Sequence, residues 1–162
     1  MLSSSSGDVV RPRLGCAVVL RVEELECDAW TGGNIESVRF APLFPAPRTE
    51  RVAPGHLVAV ATAANGRQVI VWRWYDAVVL GHEASGSVRL WEPAHGEVIA
   101  QPRRSHREQV PGTRGYASAG LPGADWWIAG PVVAQPEDAV VDVVEVEEMF
   151  TANGLWAAAF AD

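Results

Sequence analysis

The chain has 162 residues, 48% of them apolar, and a formal charge of −7. Such a length supports one domain, alone or with appendages, whose own core needs neither disulfides nor metals to fold. The acidic balance argues against broad electrostatic binding of nucleic acid, and no segment approaches the 18 apolar residues of a membrane span. All 13 basic residues are arginine, while Ala, Val and Gly abound. That bias fits a GC-rich genome, bacterial or of a bacterial virus. The spacing of Cys16 and Cys27 matches no metal-ligand pattern, and "MLSSSSGD" lacks the charged and apolar regions of a secretory signal. Free thiols and a cytoplasmic location are therefore expected.

Residues 1–13 read as a flexible polar arm and 14–162 as a single β domain. Within 14–44, "LGCAVVLRVEELECDAW" is rich in β-branched residues and supplies one strand or two. "TGGN" makes a turn, and "IESVRFAPLF" alternates Ile35, Ser37, Arg39 against Glu36, Val38, Phe40, as a short strand does. Pro42, Pro45, Pro47 and Pro54 make 41–55 an extended linker.

Residues 56–103 carry the clearest pattern, a four-strand meander. "HLVAVAT" meets the hairpin signal Asn65-Gly66, and the long strand "VIVWRWYDAVVLG" follows. "EASG" turns into "SVRLW", and Pro93 with Gly96 turns that strand into "EVIAQP". Residues 104–124 read as a basic, glycine-rich loop. Residues 125–162 read as a hairpin, "WWIAGPVVA" with "AVVDVVEVE", then a short helix broken at Asn153-Gly154. No repeat with a period of 20 to 50 residues is evident.

The order Trp74-Tyr75-Asp76-Ala77-Val78-Val79, Val88-Arg89-Leu90-Trp91, Gly96-Glu97-Val98 resembles the SH3-like small barrels of the Tudor type over residues 56–103. The resemblance implies a barrel that binds peptides, methylated side chains or nucleic acid. It would place Tyr75 and Trp91 as cage aromatics, with Asp76 nearby for a cation. The "SVRLW" hairpin is also similar to a WD40 blade, but Trp72 and Trp91 are too close for a blade.

Three sets of residues are candidates for function. The first is an aromatic surface of Trp74, Tyr75, Asp76 and Trp91. The second is the arginine set Arg103, Arg104 and Arg107, suited to RNA or DNA; its R-x-x-x-R resembles a PilZ domain, whose D-x-S-x-x-G is missing. The third is a histidine edge, because His56, His82 and His106 fall at one end of the meander, beside Glu83 and Glu108. Three histidines and a carboxylate could hold a metal or run acid–base chemistry. His95 falls at the other end, about 20 Å away. A phosphate loop, a nucleophile elbow, HExxH and CxxC are absent.

Seven tryptophans can also serve simply as core, each contributing up to ~4–6 kcal/mol when buried. Whether Trp72 and Trp74 are core or surface is left open by alternation, since both faces of their strand are apolar.

The expectation is a mainly-β interaction module or accessory subunit without cofactor. It would bind a protein partner through an aromatic β surface, as a subunit, an immunity-type inhibitor or a phage component would. A small metal-dependent or acid–base enzyme and a nucleic-acid-binding barrel are the alternatives.

Overall fold

In a computed structural model, the structure describes residues 12–42, 52–93, 95–102, 111–118, 126–131 and 143–161. The fold is mainly β, with nine strands among the described residues joined in one sheet: β1 (Arg13–Val22), β2 (Glu26–Trp30), β3 (Ile35–Phe40), β4 (Leu57–Thr62), β5 (Gln68–His82), β6 (Val88–Glu92), β7 (Gly96–Pro102), β8 (Arg114–Ser118) and β9 (Trp126–Pro131). Among the described residues two short helices follow, α1 (Val143–Ala152) and α2 (Trp156–Ala159). No helix among the described residues is long and apolar enough to cross a membrane. The expected polar arm lies almost wholly outside the described residues, as does 43–51 of the proline-rich linker.

Contacts divide the chain into two compact units, residues 1–72 with 143–162, and residues 73–142. The division falls inside β5. In the first unit β1, β2 and β3 are antiparallel neighbours, β4 pairs with β1 and with β5, and β3 meets β5 in parallel through Arg39↔Val69 and Phe40↔Ile70. In the second unit β5, β6 and β7 are antiparallel neighbours, β8 pairs with β5 and β9, and β7 meets β9 in parallel. Each unit thus joins its five described strands in the order 1-2-3-5-4, a partial barrel-like ring.

The second ring repeats the first pair by pair. Val18↔Trp30, Val19↔Ala29, Arg21↔Asp28 and Val22↔Cys27 correspond to Val78↔Trp91, Val79↔Leu90, Gly81↔Arg89 and His82↔Val88. Each series skips one residue as a bulge, Leu20 and Leu80. On the other side of the first strand, Val18↔Leu57 and Ala17↔Val58 correspond to Val78↔Arg114 and Ala77↔Gly115. The turn before the fourth strand is repeated too. Gly55 N donates to Val19 O at 2.7 Å and Gly112 N to Val79 O at 2.8 Å, each glycine following a proline. The sequence keeps "AVVL" at 17–20 and again at 77–80.

Alternation explains the core of the second ring. Ala77 and Val79, Val88 and Leu90, Ala100, Ala117 and Ile128 point inward and are buried together. In the first unit Ala17, Val19, Cys27, Ala29 and Val38 are buried. The helices belong to this unit. Val146 and Phe150, one helical turn apart, are fully buried, and the Phe150 ring lies 6.1 Å from Trp72 and 4.8 Å from Trp156.

Three readings of the sequence need correction. The expected ring of strands is present, but residues 56–103 do not close it alone: β4 belongs to the first ring, β6 and β7 to the second, and β8 and β9 complete the latter. Within the expected loop 104–124, Arg114–Ser118 forms β8. Its small residues carry no β-branched signal, yet Tyr116, Ala117 and Ser118 are buried between two partner strands. Finally, β8–β9 is the antiparallel pair observed; residues 132–142 of the expected hairpin lie outside the described residues, and residues 143–147, read as the end of its second strand, begin α1. Val-Val-Glu-Val-Glu-Glu fits either period, and burial of Val146 with Phe150 decides for the helix.

Gly55 and Gly112 sit at φ +93° and +90° with open space where a Cβ would go. Gly55→Ala and Gly112→Ala should therefore each cost about 1–2 kcal/mol from backbone strain alone. Equal losses in denaturant midpoints would confirm that the two turns are equivalent.

Candidate docking face of the second ring

Outward-pointing residues of β5, β6 and β7 form one surface. Alternation places Asp76, Val78 and Leu80 of β5, Arg89 and Trp91 of β6, and Glu97 and Ile99 of β7 opposite the core residues. Trp91 is 46% exposed, Ile99 44% and Leu80 38%. They are the exposed large apolar residues among those described in this unit, and all lie on this face. Val78, half-buried, is the cross-strand partner of Trp91. Single exposed apolar residues are normal on a protein surface; here the three share one sheet face.

The cations on this face are already paired. Arg89 Nε lies 3.2 Å from Glu83 Oε2 and its Nη1 3.9 Å from Glu97 Oε2. Arg114, on β8, makes a two-pronged contact with Asp76, its Nε donating to Oδ1 at 3.1 Å and its Nη2 to Oδ2. That hydrogen bond and the carboxylate charge push the Arg114 guanidinium further above its usual range. The bulge shapes the corner: a Cβ at Gly81 would lie 2.9 Å from Arg89 Nη2, so the missing side chain leaves room for the guanidinium.

The sequence-derived candidates scatter. Trp91 and Asp76 are on the outer face, whereas Trp74 is fully buried and Tyr75 is 4% exposed. Both faces of β5 are covered near Trp74, which settles its place as core; its Nε1 has no hydrogen-bond partner among the described residues. Tyr75 shares the inward alternation of Ala77 and Val79, so it does not join Trp91 in a cage. Its ring lies 5.1 Å from His95 and 5.4 Å from Trp126, with the Arg73 guanidinium 4.5 Å from its centroid.

His95 is the histidine that sequence reasoning set aside. Its Nδ1 lies 2.8 Å from Oε1 of Glu92, whose side chain is 2% exposed, and its ring is 4.9 Å from that of Trp126. Glu92-x-x-His95 across a turn is the signal that could have found the pair. His56, in the first unit, accepts a hydrogen bond from Ala53 N at 3.1 Å, and His82, in the second, is exposed. His106, Glu108, Arg103, Arg104 and Arg107 lie outside the described residues. Among the described residues no group of three His, Cys, Asp or Glu side chains could hold a metal.

Both cysteines are free. Burial pushes the Cys16 thiol up to about 11; burial, with Asp28 and Glu26, pushes Cys27 up to about 12. Neither is a nucleophile at neutral pH.

No known protein family and no curated protein matches the chain. One similar solved structure is a multidomain protein with nucleic acid binding domains from Streptococcus pneumoniae. It is 12% identical, with a TM-score of 0.32 over 88% of this chain and 59% of that one, so the chain spans less than two thirds of that protein's length.

The native thiols should react with an aromatic disulfide reagent at pH 7.5 at least about a hundredfold more slowly than in denaturant, since the thiolate is scarce and enclosed. The unfolded thiols ionise near 9.0 and the folded ones only near 11 and 12. Their contribution to stability is therefore complete below pH 9 and falls as pH rises above it, which urea titrations from pH 8 to 10.5 would measure.

Proposed function

We propose that the chain is a non-catalytic interaction module that binds a protein partner through the outer face of β5–β6–β7, centred on Trp91. The observation that carries this reading is the apolar row Val78, Leu80, Trp91 and Ile99, set among arginines already engaged by carboxylates. A tryptophan half in water forgoes burial energy that a smaller or polar residue would not forgo. Tryptophan is also a preferred anchor of protein interfaces.

The same electrostatics disfavour phosphate as the ligand. Affinity for a nucleic-acid backbone comes from cations that replace condensed counterions. Arg89 and Arg114 are committed to Glu83, Glu97 and Asp76. A Tudor-type cage receives no support, because Tyr75 and Trp91 occupy opposite faces. Roles as an accessory subunit or an immunity-type inhibitor are both consistent with an exposed apolar face on an acidic chain.

Immobilised chain should retain a protein in near-equimolar amount from extracts of its source. Nuclease should leave retention intact, and about 0.5 M salt should weaken it only modestly, because the contact is mainly apolar. Trp91→Ala should lower retention at least about tenfold, the loss expected for an interface anchor, with an unchanged circular dichroism spectrum. Retention abolished by nuclease, or indifferent to Trp91→Ala, would contradict the proposal.

A further inference from the structure

The first ring carries the same apolar row. Val18, Leu20 and Trp30 occupy the positions that Val78, Leu80 and Trp91 hold in the second ring, by strand register and by the shared bulge. Leu20 is 44% exposed, and Val18 and Trp30 are half-buried. The third strand adds an isoleucine to each outer face, Ile35 at 65% exposure beside Trp30 and Ile99 at 44% beside Arg89.

What the two copies share is informative because so much else differs. Several buried positions have drifted, Cys27 corresponding to Val88, Ala29 to Leu90, Val58 to Gly115 and Ala59 to Tyr116, while the buried Ala17 and Val19 are kept as Ala77 and Val79. Val, Leu and Trp on the outer face are identical. Sheet stability does not require that identity, since a cross-strand Val–Trp pair contributes only about 0.2–1 kcal/mol. A leucine projecting from a bulge into water contributes less.

The charged corner is also kept, by a different route. In the first ring the arginine is Arg21 on the first strand, opposite Asp28, and its Nη2 lies 2.8 Å from Glu23 Oε1. In the second ring the arginine is Arg89 on the second strand, opposite Gly81, and it reaches Glu83. Glu23 and Glu83 occupy equivalent hairpin positions, their amides donating to Glu26 O and Ser87 O at 2.8 Å. An arginine beside the bulge is thus held by the equivalent glutamate in both rings, although it comes from opposite strands.

We infer that the chain has two equivalent docking sites, Trp30 with Leu20 and Val18 in the first ring and Trp91 with Leu80 and Val78 in the second, and that their occupant is a basic polypeptide offering the same apolar element twice. The inference rests on the proposed function and extends it to the partner's chemistry and stoichiometry. Charge selects a basic partner. The first face carries Glu23, Glu26 and Asp28 against Arg21 and Arg39, and the second Asp76, Glu83 and Glu97 against Arg89 and Arg114. Each face thus carries one more carboxylate than arginine, although Asp76, Glu83 and Glu97 are themselves ion-paired, and that net negative charge favours a basic partner. Repetition selects a partner that presents its element in duplicate, as a homodimer or a tandem repeat does. A partner that reached both sites at once would bind more tightly than either site alone, without any new contact.

A capped Lys-Val-Trp-Leu-Lys peptide, and a covalent dimer of it, titrated into the full chain by calorimetry test this directly. The monomeric peptide should bind at two per chain. Trp30→Ala and Trp91→Ala should each reduce this to one, and the double variant should abolish binding. Leu20→Ser, with both tryptophans intact, should also weaken one of the two sites, which guards against a Trp30 variant that misfolds. The dimeric peptide should bind at least tenfold tighter to the wild-type chain than to either single variant. One peptide per chain, lost with Trp91→Ala and unaffected by Trp30→Ala and Leu20→Ser, would overturn the second site and leave the proposed function standing. No peptide binding would overturn both. Tryptophan-dependent binding of oligothymidine in its place would overturn the partner class.

Discussion

Each ring depends on one residue of its first strand, Val19 or Val79, whose backbone is clamped at both edges. Val19 faces Ala29 on β2, while on the other side its N–H donates to His56 O at 3.0 Å and its carbonyl accepts from Gly55. Val79 faces Leu90 and repeats the clamp with Thr113 O at 2.9 Å and Gly112. The next residue, Leu20 or Leu80, is then squeezed out as a bulge. A bulge sharpens the strand's twist and re-aims its side chains. Here it allows the first strand to curve between its second-strand and fourth-strand neighbours while its side chain is turned to water. The same backbone constraint therefore builds the ring and presents an apolar residue on its outside.

The chemistry available to the chain follows from which groups are occupied. Its thiols are held protonated by burial. The arginines of the docking face are engaged by carboxylates, and the buried Glu92 is matched by His95 under the rings of Tyr75 and Trp126. What remains unoccupied on the outer faces is apolar surface with a slight acidic excess. Such a surface suits recognition of a basic polypeptide, with tryptophans as anchors.

Much of the strand pattern was legible, because turn residues and alternation agreed at 31–34, 65–66, 83–86 and 93–96. The mainly-β class and the helix broken at Asn153-Gly154 follow from the same signals. Residues 114–118 were not legible, since glycine, alanine and serine carry no strand preference of their own and are placed by partners. Trp72 and Trp74 could not be placed by alternation on a strand apolar on both faces; only the cover that tertiary structure lays on both faces of β5 makes them core. The duplication did leave a trace in "AVVL", in the following tryptophan and in Pro-Gly before each fourth strand. Its period of sixty residues exceeds that of ordinary short repeats, and the drift of buried positions hid the rest. His95 was missed because its partner, Glu92, is buried by tertiary structure.

The central claim is that tryptophan is spent on water at the same place in each ring. Fluorotryptophan labelling resolves seven fluorine resonances, and a soluble paramagnetic agent ranks them by exposure. The account predicts the strongest relaxation at Trp91, marked relaxation at Trp30, and little at Trp72, Trp74, Trp127 and Trp156, assigned by single substitutions. A free chain in which Trp91 is as protected as Trp74 would contradict it.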